Sequence, residues 1–291
     1  MARLAVFGIT GRMGQSLLRA LREAAAPGAV APGTAAPDAA APDRSGADGP
    51  PWDLQLCGAI ASPQSKRLGR DAASEGDPTG VLVTADSGVG LRGATVAVDF
   101  STSNGTAANT AACALAGVPI LVGTTGFDAA TRRVLERAAR DIAVLIAPNT
   151  SIGVNVMAKL VSLATVALGP AYDVEIAEAH HRMKRDAPSG TALALGERVA
   201  GARGQSLDDI ASYDRHGQSA ARIPGSIGFA VVRAGDIVGE HTVTFAAAGE
   251  RIEITHRATD RITFARGALR AAVWLQGKPA GLYGMQDVLG L

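Results

Sequence analysis

The chain has 291 residues, which is enough for one large domain or for two domains of ordinary size. Its hydrophobic content of 47% and charged content of 19% are typical of a soluble globular protein and argue against a disordered chain. The formal net charge of +1 provides no global basic field, so we expect neither nucleic acid nor a membrane as a partner. An anionic ligand would have to be bound by a local cluster of cations.

The cysteines and the apolar runs indicate the cellular context. Cys57 and Cys113 lie far apart without CxxC spacing, so we interpret both as buried reduced thiols and expect no metal site. No apolar run approaches the roughly 20 residues that cross a bilayer. The strand-like residues 4–7 leave no room for a signal peptide, so we expect a cytoplasmic protein.

Residues 1–22 predict a strand, a glycine turn and a helix. Gly8, Gly11 and Gly14 depart from the common GxGxxG spacing, but they permit a tight turn and close approach of the backbone to a pyrophosphate. Such glycines can also serve packing alone. The position between a strand and a helix favours nucleotide binding, with the charge of Arg12 near a phosphate.

Residues 24–51 are rich in Ala, Pro, Gly and Asp and show no apolar periodicity. The repeated prolines forbid a helix, and the small side chains bury too little surface to offset the entropy lost on ordering. We predict a flexible surface insertion within the first domain, because the strand pattern resumes after it.

The next apolar runs are separated by helix-like sequence, as is typical of parallel strands covered on both faces. These runs are residues 54–60, 95–100, 119–122 and 142–146. Polar turns follow the last three runs, and ligands of such sheets bind at the carboxyl ends of the strands. The sequence therefore predicts an α/β fold with an N-terminal Rossmann-type, doubly wound parallel sheet in residues 1–150.

After residue 150 the pattern predicts a smaller α+β domain with a mixed sheet. Residues 154–168 form a long apolar helical segment, and residues 174–177 are strand-like. Later strand-like runs at residues 228–232, 240–245 and 251–256 are separated by glycine-containing turns, as in an antiparallel meander. Residues 267–278 return to a helical pattern.

The end of the second strand lacks the carboxylate that commonly binds the adenosine ribose. No negative charge would repel a 2′-phosphate there, and Lys66 and Arg67 would attract one, although simple solvation explains these two residues equally well. The choice between NADPH and NADH stays open.

The densest group of reactive side chains lies in residues 178–191, which contain two histidines and three cations. His180 and Lys184 are four residues apart, so a helical turn or a loop would bring them together. Histidine is the usual group for proton transfer near neutral pH. A solvated charged turn is the alternative interpretation.

A helix start follows this cluster. Ser189 can cap the helix, and the N–H groups of Gly190 and Thr191 in its first turn would then point at an anion, although capping without a ligand is the simpler interpretation of this motif alone. Beside the cations, capture of a carboxylate is favoured. By contrast, we interpret His216 as exposed, and the strand residues His241 and His256 as packing or interface residues.

Several motifs resemble the 4-hydroxy-tetrahydrodipicolinate reductase (dihydrodipicolinate reductase) family of the diaminopimelate–lysine pathway. The most specific is His-His-x-x-Lys-x-Asp-Ala-Pro-Ser-Gly-Thr at residues 180–191. The others are Gly-Arg-Met-Gly at 11–14 and the segments 122–127, 151–157, 224–229 and 232–241. The resemblance spans nearly the whole chain, and the insertion and the missing acid after the second strand are departures from it.

The resemblance implies a role for each matching residue. His180 would be the acid or base that protonates the substrate, and Lys184 would donate a proton with it or bind a carboxylate. His181, Gly190 and Thr191 would bind the substrate. The residues that would hold the dinucleotide are Gly8, Ile9, Thr10, Gly11, Arg12, Met13, Gly123, Thr124, Thr125, Ala147, Pro148, Asn149 and Thr150.

The implied reaction is reduction of 4-hydroxy-tetrahydrodipicolinate, a cyclic dicarboxylate, by way of dihydrodipicolinate to tetrahydrodipicolinate, with NADPH or NADH as the cofactor. The family's fold would return residues 261–291 to the dinucleotide-binding domain of residues 1–150. Residues 151–260 would form a domain for substrate binding and tetramerisation, because members form homotetramers through the sheets of these domains.

Two other functions fit the dinucleotide turn. One is another two-domain reductase, such as an amino-acid or semialdehyde dehydrogenase. The other is a non-catalytic NADPH-binding regulator. Neither explains the block at residues 178–191, which favours the reductase, whereas fold analogy alone would not exclude them.

Overall fold

The structure is a computed structural model that describes residues 2–25, 54–216 and 221–291. It divides into two compact units, Met1–Ile152 with Ile262–Leu291 and Gly153–Arg261. The predicted flexible insertion at residues 24–51 falls outside the described residues, except for Ala24 and Ala25 at the end of the first helix. No helix within the described ranges is long and apolar enough to cross a membrane.

The first unit contains a seven-stranded sheet in which every pair of neighbours is parallel. Its strands are β1 (Ala2–Phe7), β2 (Leu54–Ile60), β3 (Val83–Thr84), β4 (Val96–Asp99), β5 (Ile120–Val122), β6 (Ala143–Ile146) and β12 (Gly281–Tyr283). The order β12-β6-β5-β4-β1-β2-β3 reverses its direction of winding between β1 and β4. This is the doubly wound arrangement, and it places a crevice for ligands beyond the carboxyl ends of β1 and β4.

Helices cover both faces of this sheet, which explains why its strands are continuously apolar. The helices are α1 (Arg12–Ala25), α2 (Ser87–Gly90), α3 (Ser103–Ala116), α4 (Ala129–Ala138), α8 (Ile262–Leu275) and α9 (Met285–Leu289). In β1, Leu4 and Val6 pack into one core with α1 and α8, whereas Ala5 and Phe7 pack into the other core with α3 and α4. The helix α8, near the end of the chain, contacts α1, β4 and β5 of this unit.

The second unit contains a smaller mixed sheet. Its elements are α5 (Ile152–Leu168), which begins at the boundary, β7 (Asp173–His180), α6 (Gly190–Ala202), α7 (Leu207–Ile210), β8 (Ala211–Ser212), β9 (Ile227–Arg233), β10 (Gly239–Ala247) and β11 (Glu250–Ala258). The strand order is β11-β10-β7-β9-β8. Apolar residues of α5 and α6, including Val161, Leu195 and Val199, pack with Ile176 and Phe245 of the sheet. The predicted fold class is confirmed.

The predicted meander of the last three strands is wrong for its first pair. Only β10 and β11 form a hairpin, because β7 lies between β9 and β10, parallel to the former and antiparallel to the latter. The turn after β9 bonds to the end of β7 instead: Ala234 N donates to His180 O at 2.9 Å, and Gly235 O accepts from Arg182 N at 3.2 Å. This connection brings residues 233–239 beside the histidine cluster.

Two short strands of the first unit, β3 and β12, were not predicted. They contain two and three residues, too few to show a period in the sequence. Both cysteines are free, with Cys113 buried and Cys57 half-buried. Burial raises the pKa of the Cys113 thiol, which keeps it protonated.

Candidate active site

The glycine turn after β1 is tightly packed. Gly8 has a φ of 76°, and a Cβ there would lie 2.4 Å from the carbonyl oxygen of Phe100 at the end of β4. A Cβ at Gly14 would lie 2.4 Å from Ile9 O, so α1 begins in close contact with the turn. The first N–H groups of α1, at the exposed Arg12 and the half-buried Met13, have no partner within the helix, which suits an anion.

The other two predicted cofactor segments follow β5 and β6. Gly123 N donates to Asp99 O at 2.9 Å, and a Cβ at Gly123 would lie 2.2 Å from the ring of Phe100. Thr124 is buried against Asp99, whereas Thr125 is exposed. Ala147 N donates to Val122 O at 2.9 Å, which fixes the start of the segment after β6.

The structure brings these three predicted segments to the same end of one sheet. They follow β1, β5 and β6, whose carboxyl ends lie on the same side because all the strands are parallel. Gly8, Thr10 and Asn149 are half-buried there, and Gly11 and Pro148 are exposed. This end of the sheet therefore fits a dinucleotide. Phe100, which packs against Gly8 and Gly123, was not predicted as part of it.

In the second unit, the site begins at the last residues of β7. Glu178 lies on the same face of β7 as Val174 and Ile176, and its side chain is fully buried. One carboxylate oxygen, Oε2, lies 2.7 Å from His180 Nδ1. Arg233 donates from Nη1 to Oε2 at 2.7 Å and from Nη2 to Oε1 at 2.8 Å. The predicted proton-transfer residue is therefore held by a buried ion pair.

Lys184 lies in a loop after β7 and not in a helical turn with His180. The chain turns at Arg182, and the Lys184 backbone N–H donates to His181 O at 3.0 Å. The Lys184 ammonium donates to Asp186 at 2.8 Å, and its charge acts on His180. Of the two arrangements open from the sequence, the structure shows the loop, with His181 half-buried beside it.

The start of α6 forms the other side of this cluster. Ser189 caps the helix by accepting from Ala192 N at 3.2 Å, and its own N–H donates to Glu178 Oε1 at 2.9 Å. Gly190 is exposed, and a Cβ there would meet nothing within 4 Å, so space is open beside the helix start. The half-buried Thr191 follows it.

His241 of β10 joins the same cluster. Its Nε2 lies 2.9 Å from Ser189 Oγ, and its ring packs edge-on against that of His180 with centroids 5.2 Å apart. The strand position predicted packing, and the ring is indeed buried. It also borders the predicted catalytic residue, which the sequence did not indicate.

Burial and nearby charges set the protonation of these groups. Burial lowers the pKa of His180 below its usual value, and the cations of Lys184 and Arg233 lower it further, against the opposing effect of Glu178. Burial also lowers the pKa of His241 to about 4. Burial alone would raise the pKa of Glu178, but hydrogen bonds from Arg233, His180 and Ser189 lower it below its usual value. At neutral pH the cluster therefore holds two neutral histidines around an ionised carboxylate.

Glu178 and Arg233 were missed as site residues. Glu178 could have been recognised from the sequence, because it alternates with Val174 and Ile176 and therefore lies on the apolar face of a strand. Arg233 could not be recognised without knowledge of the strand order, because its partner Glu178 lies 55 residues away in sequence. Over the described part of the chain, no cluster of three or more His, Cys, Asp or Glu side chains is placed to hold a metal ion.

Two family models match the chain. One is described as "Dihydrodipicolinate reductase, N-terminus" and matches residues 51–150, and the other, "Dihydrodipicolinate reductase, C-terminus", matches residues 153–289. The 4-hydroxy-tetrahydrodipicolinate reductase of Thiobacillus denitrificans is 48% identical over 99% of this chain and 98% of its own length. The protein of the same name from Herminiimonas arsenicoxydans is 45% identical with the same coverage.

A solved structure shares the fold. It is the dipicolinate-bound dihydrodipicolinate reductase from Paenisporosarcina sp. TG-14, with a TM-score of 0.69 and 22% identity over 99% of this chain and 100% of that one. The family models together cover most of the chain, and the relatives match it from end to end. The family identified from the sequence motifs is therefore confirmed, and this chain belongs to the dihydrodipicolinate reductase family.

Proposed function

We propose that this chain reduces 4-hydroxy-tetrahydrodipicolinate, by way of dihydrodipicolinate, to tetrahydrodipicolinate in diaminopimelate and lysine biosynthesis. The observation that carries the proposal is that His180, on which the charge of Lys184 acts, is joined through Glu178 to Ser189 at the start of α6. This arrangement combines a proton-transfer group, a cation and an anion site. The two relatives at 48% and 45% identity are named for this reaction.

A reduced nicotinamide dinucleotide supplies the hydride when it is bound. We assign its binding to the three segments that follow β1, β5 and β6, at the carboxyl ends of the strands of the seven-stranded sheet. Support comes from the left-handed conformation of Gly8 and from the close packing of Gly14 against Ile9 and of Gly123 against Phe100. These contacts hold the tight turn and the start of α1 close to the carboxyl ends of the strands. Arg12 supplies positive charge at the start of α1.

His180 supplies the proton for the ring carbon next to the one that receives hydride. In the free protein its lowered pKa, caused mainly by burial, keeps the ring neutral near pH 7. A bound dicarboxylate adds negative charge beside the ring and raises that pKa, so the ring is charged when substrate is present. The substrate thereby recruits the proton that its own reduction consumes.

The remaining residues of the cluster bind the two carboxylates. The Lys184 ammonium exchanges its exposed partner Asp186 for a substrate carboxylate. Gly190 and Thr191 donate N–H groups from the first turn of α6, where the helix dipole favours an anion. His181 begins the turn that carries Lys184 and contributes a further donor. Positive charge around the ring stabilises the negative charge that develops as hydride arrives.

The sequence after β2 makes both NADPH and NADH acceptable, with a preference for NADPH. The buried Ala61 and the exposed Ser62 offer no carboxylate against a 2′-phosphate. Arg67 is already occupied, because its Nη2 donates to the carbonyl oxygens of Asp71 and Ala73 at 2.7 and 2.5 Å. The exposed Lys66 is therefore the cation that is available to a phosphate.

The assembly and location follow the same proposal. Val231, Val232 and Ile252 are exposed apolar residues on strands of the five-stranded sheet, which suits a homotetramer formed through this sheet. Light scattering would then give a mass four times that of the 29.4 kDa chain. The two free cysteines and the need for a reduced nicotinamide cofactor suit the cytoplasm.

A coupled assay tests the reaction. 4-Hydroxy-tetrahydrodipicolinate is generated by its synthase, and the loss of reduced-nicotinamide absorbance is followed with NADPH and with NADH. Oxidation that requires both the synthase product and this chain supports the reductase. Binding of NADPH without oxidation supports a regulator instead, and oxidation only with an amino acid or semialdehyde supports another dehydrogenase of this fold.

A further inference from the structure

Glu178 is the most completely bonded side chain in the second unit's site, yet the reaction as proposed does not use it. Its carboxylate accepts four hydrogen bonds, two at each oxygen. Oε2 is shared by His180 and Arg233, and Oε1 by Ser189 and Arg233. A buried carboxylate stays ionised only when such partners stabilise it, so these four hydrogen bonds indicate that Glu178 carries a negative charge in the folded protein.

These bonds determine which nitrogen of His180 carries a proton. An ionised carboxylate only accepts hydrogen bonds, so the 2.7 Å contact from Oε2 requires a proton on Nδ1. In the neutral ring the lone pair then resides on Nε2. That atom faces Gly239, where a Cβ would lie 3.0 Å from it, so the absence of a side chain at residue 239 leaves room beside Nε2.

Arg233 has two effects on this arrangement. Its bidentate contact compensates the charge of Glu178, so that the carboxylate orients the ring without holding it permanently protonated. Its Nη2 also donates to Asp186 O at 2.6 Å, which ties the loop that carries Lys184 to the same carboxylate. One ion pair thereby fixes both predicted catalytic side chains relative to each other.

We propose that Glu178, held by Arg233, is a positioning residue that keeps the proton of neutral His180 on Nδ1 and presents Nε2 to the substrate as the atom that takes up and delivers the catalytic proton. The inference rests on the proposed function for the role of His180. It makes no use of the cofactor, and its geometry lies wholly within the second unit.

The charged and titratable groups around the ring are few and come from each neighbouring element. Glu178 precedes it on β7, Lys184 and Asp186 lie in the following loop, Arg233 ends β9 and His241 lies on β10. Among the residues that the structure describes, Glu178 alone forms a hydrogen bond with Nδ1. A change in the protonation of Nδ1 therefore reports on Glu178.

The direct test is nitrogen NMR of protein labelled with ¹⁵N in histidine, without substrate, across the titration of the ring. The signals of His180 are assigned as those missing from His180→Gln. We expect the neutral ring to show a protonated Nδ1 and an unprotonated Nε2. The opposite pattern in the wild-type protein overturns the proposal whatever the enzyme's activity.

Variants separate positioning from packing. Glu178→Gln keeps the size of the side chain, but its amide nitrogen must face a donor, so we expect mixed ring tautomers and kcat lowered about 100-fold. KM should change far less, whereas the melting temperature should fall because Arg233 loses the charge that compensates it, so both proteins are compared at a temperature at which each is folded. Glu175→Gln is the matched control, because Glu175 lies on the same strand and is also paired with arginine, here Arg215 and Arg222, instead of with a histidine.

The outcomes distinguish the two proposals. Loss of kcat in Glu178→Gln with unchanged tautomers and an unchanged pH profile means that the carboxylate acts on stability alone, which contradicts the positioning role. Equal loss in Glu175→Gln means the same. A wild-type protein without reductase activity but with the proton on Nδ1 contradicts the proposed function and leaves the ring geometry in place.

Discussion

Gly267 of α8 packs so closely against the carbonyl oxygen of Thr150 that a Cβ there would lie 1.8 Å from it. The same two segments are joined by a hydrogen bond of 2.7 Å from Thr150 Oγ1 to Phe264 O. The C-terminal helix therefore supports the turn after β6, one of the three segments assigned to the dinucleotide. A backbone atom cannot move aside as a flexible side chain would, so this contact requires glycine.

We expect Gly267→Ala to lower the free energy of unfolding by roughly 1–3 kcal/mol, as overpacking of a core does. It should also weaken NADPH binding, because the turn at residues 147–150 must shift. Denaturant unfolding and fluorescence titration measure the two effects. Gly201→Ala in α6 is the matched control: it meets nothing within 4 Å, and as a helical Gly→Ala change it should stabilise by about 0.5 kcal/mol. Normal NADPH affinity in Gly267→Ala would separate this turn from the cofactor.

Lys184→Ala tests the carboxylate site. Removing this half-buried cation should lower kcat/KM for the dicarboxylate about 100-fold. The dinucleotide affinity should stay close to that of the wild-type protein, because the assigned cofactor segments lie in the other unit. Lys159→Ala removes an exposed lysine of α5 and serves as the control. Equal losses of substrate use and cofactor binding would instead assign Lys184 a structural role.

His241 makes the protein sensitive to moderate acid. Its folded pKa of about 4, lowered mainly by burial, lies well below the ordinary value of 6.5. The unfolded chain therefore binds a proton that the folded chain excludes. Stability falls as the pH drops from 6.5, the ordinary pKa of histidine, toward the pKa of about 4 in the folded protein. The full effect is roughly 3 kcal/mol.

We expect His241→Gln to reduce this loss of stability between pH 6.5 and 4. Glutamine keeps a polar atom within reach of Ser189 but does not titrate. Urea unfolding of both proteins at several pH values gives the comparison, and His216→Gln, at an exposed histidine, is the control. Parallel stability curves for wild type and His241→Gln would show that this ring does not govern the acid response.

Of the two cations after β2, Lys66 should affect cofactor binding and Arg67 should affect stability. Lys66→Ala should raise KM for NADPH more than KM for NADH, because only NADPH carries the 2′-phosphate. Arg67→Ala should lower the melting temperature, since the carbonyl groups of Asp71 and Ala73 lose their donor. A larger change of cofactor preference in Arg67→Ala than in Lys66→Ala would reverse these roles.

Much of the fold was predictable because its strands follow a simple rule. The continuous apolar runs around Val6, Val98 and Val144 reflect burial on both faces, and each predicted a parallel strand. The order of the second sheet was not predictable in the same way. Whether β9 pairs with β10 or with β7 depends on hydrogen bonds between distant residues, such as that from Ala234 N to His180 O.

The site shows the same division. His180 and Lys184 were predicted as catalytic residues because reactive side chains cluster in a short segment of sequence. Their supports, Glu178 and Arg233, were missed because one looks like an ordinary strand residue and the other comes from a strand far along the chain. Pattern in the sequence thus indicates candidate reacting groups, whereas the residues that contact and orient them depend on strand pairing.

The most direct test of the account compares wild type with His180→Gln in the coupled assay while the NADPH dissociation constant is measured on the same preparations. We predict substrate-dependent oxidation by the wild-type protein, a fall in kcat of about 100-fold or more in the variant, and closely similar NADPH affinities. Equal turnover by the two proteins would contradict the assignment of His180 as the proton donor on which the account depends.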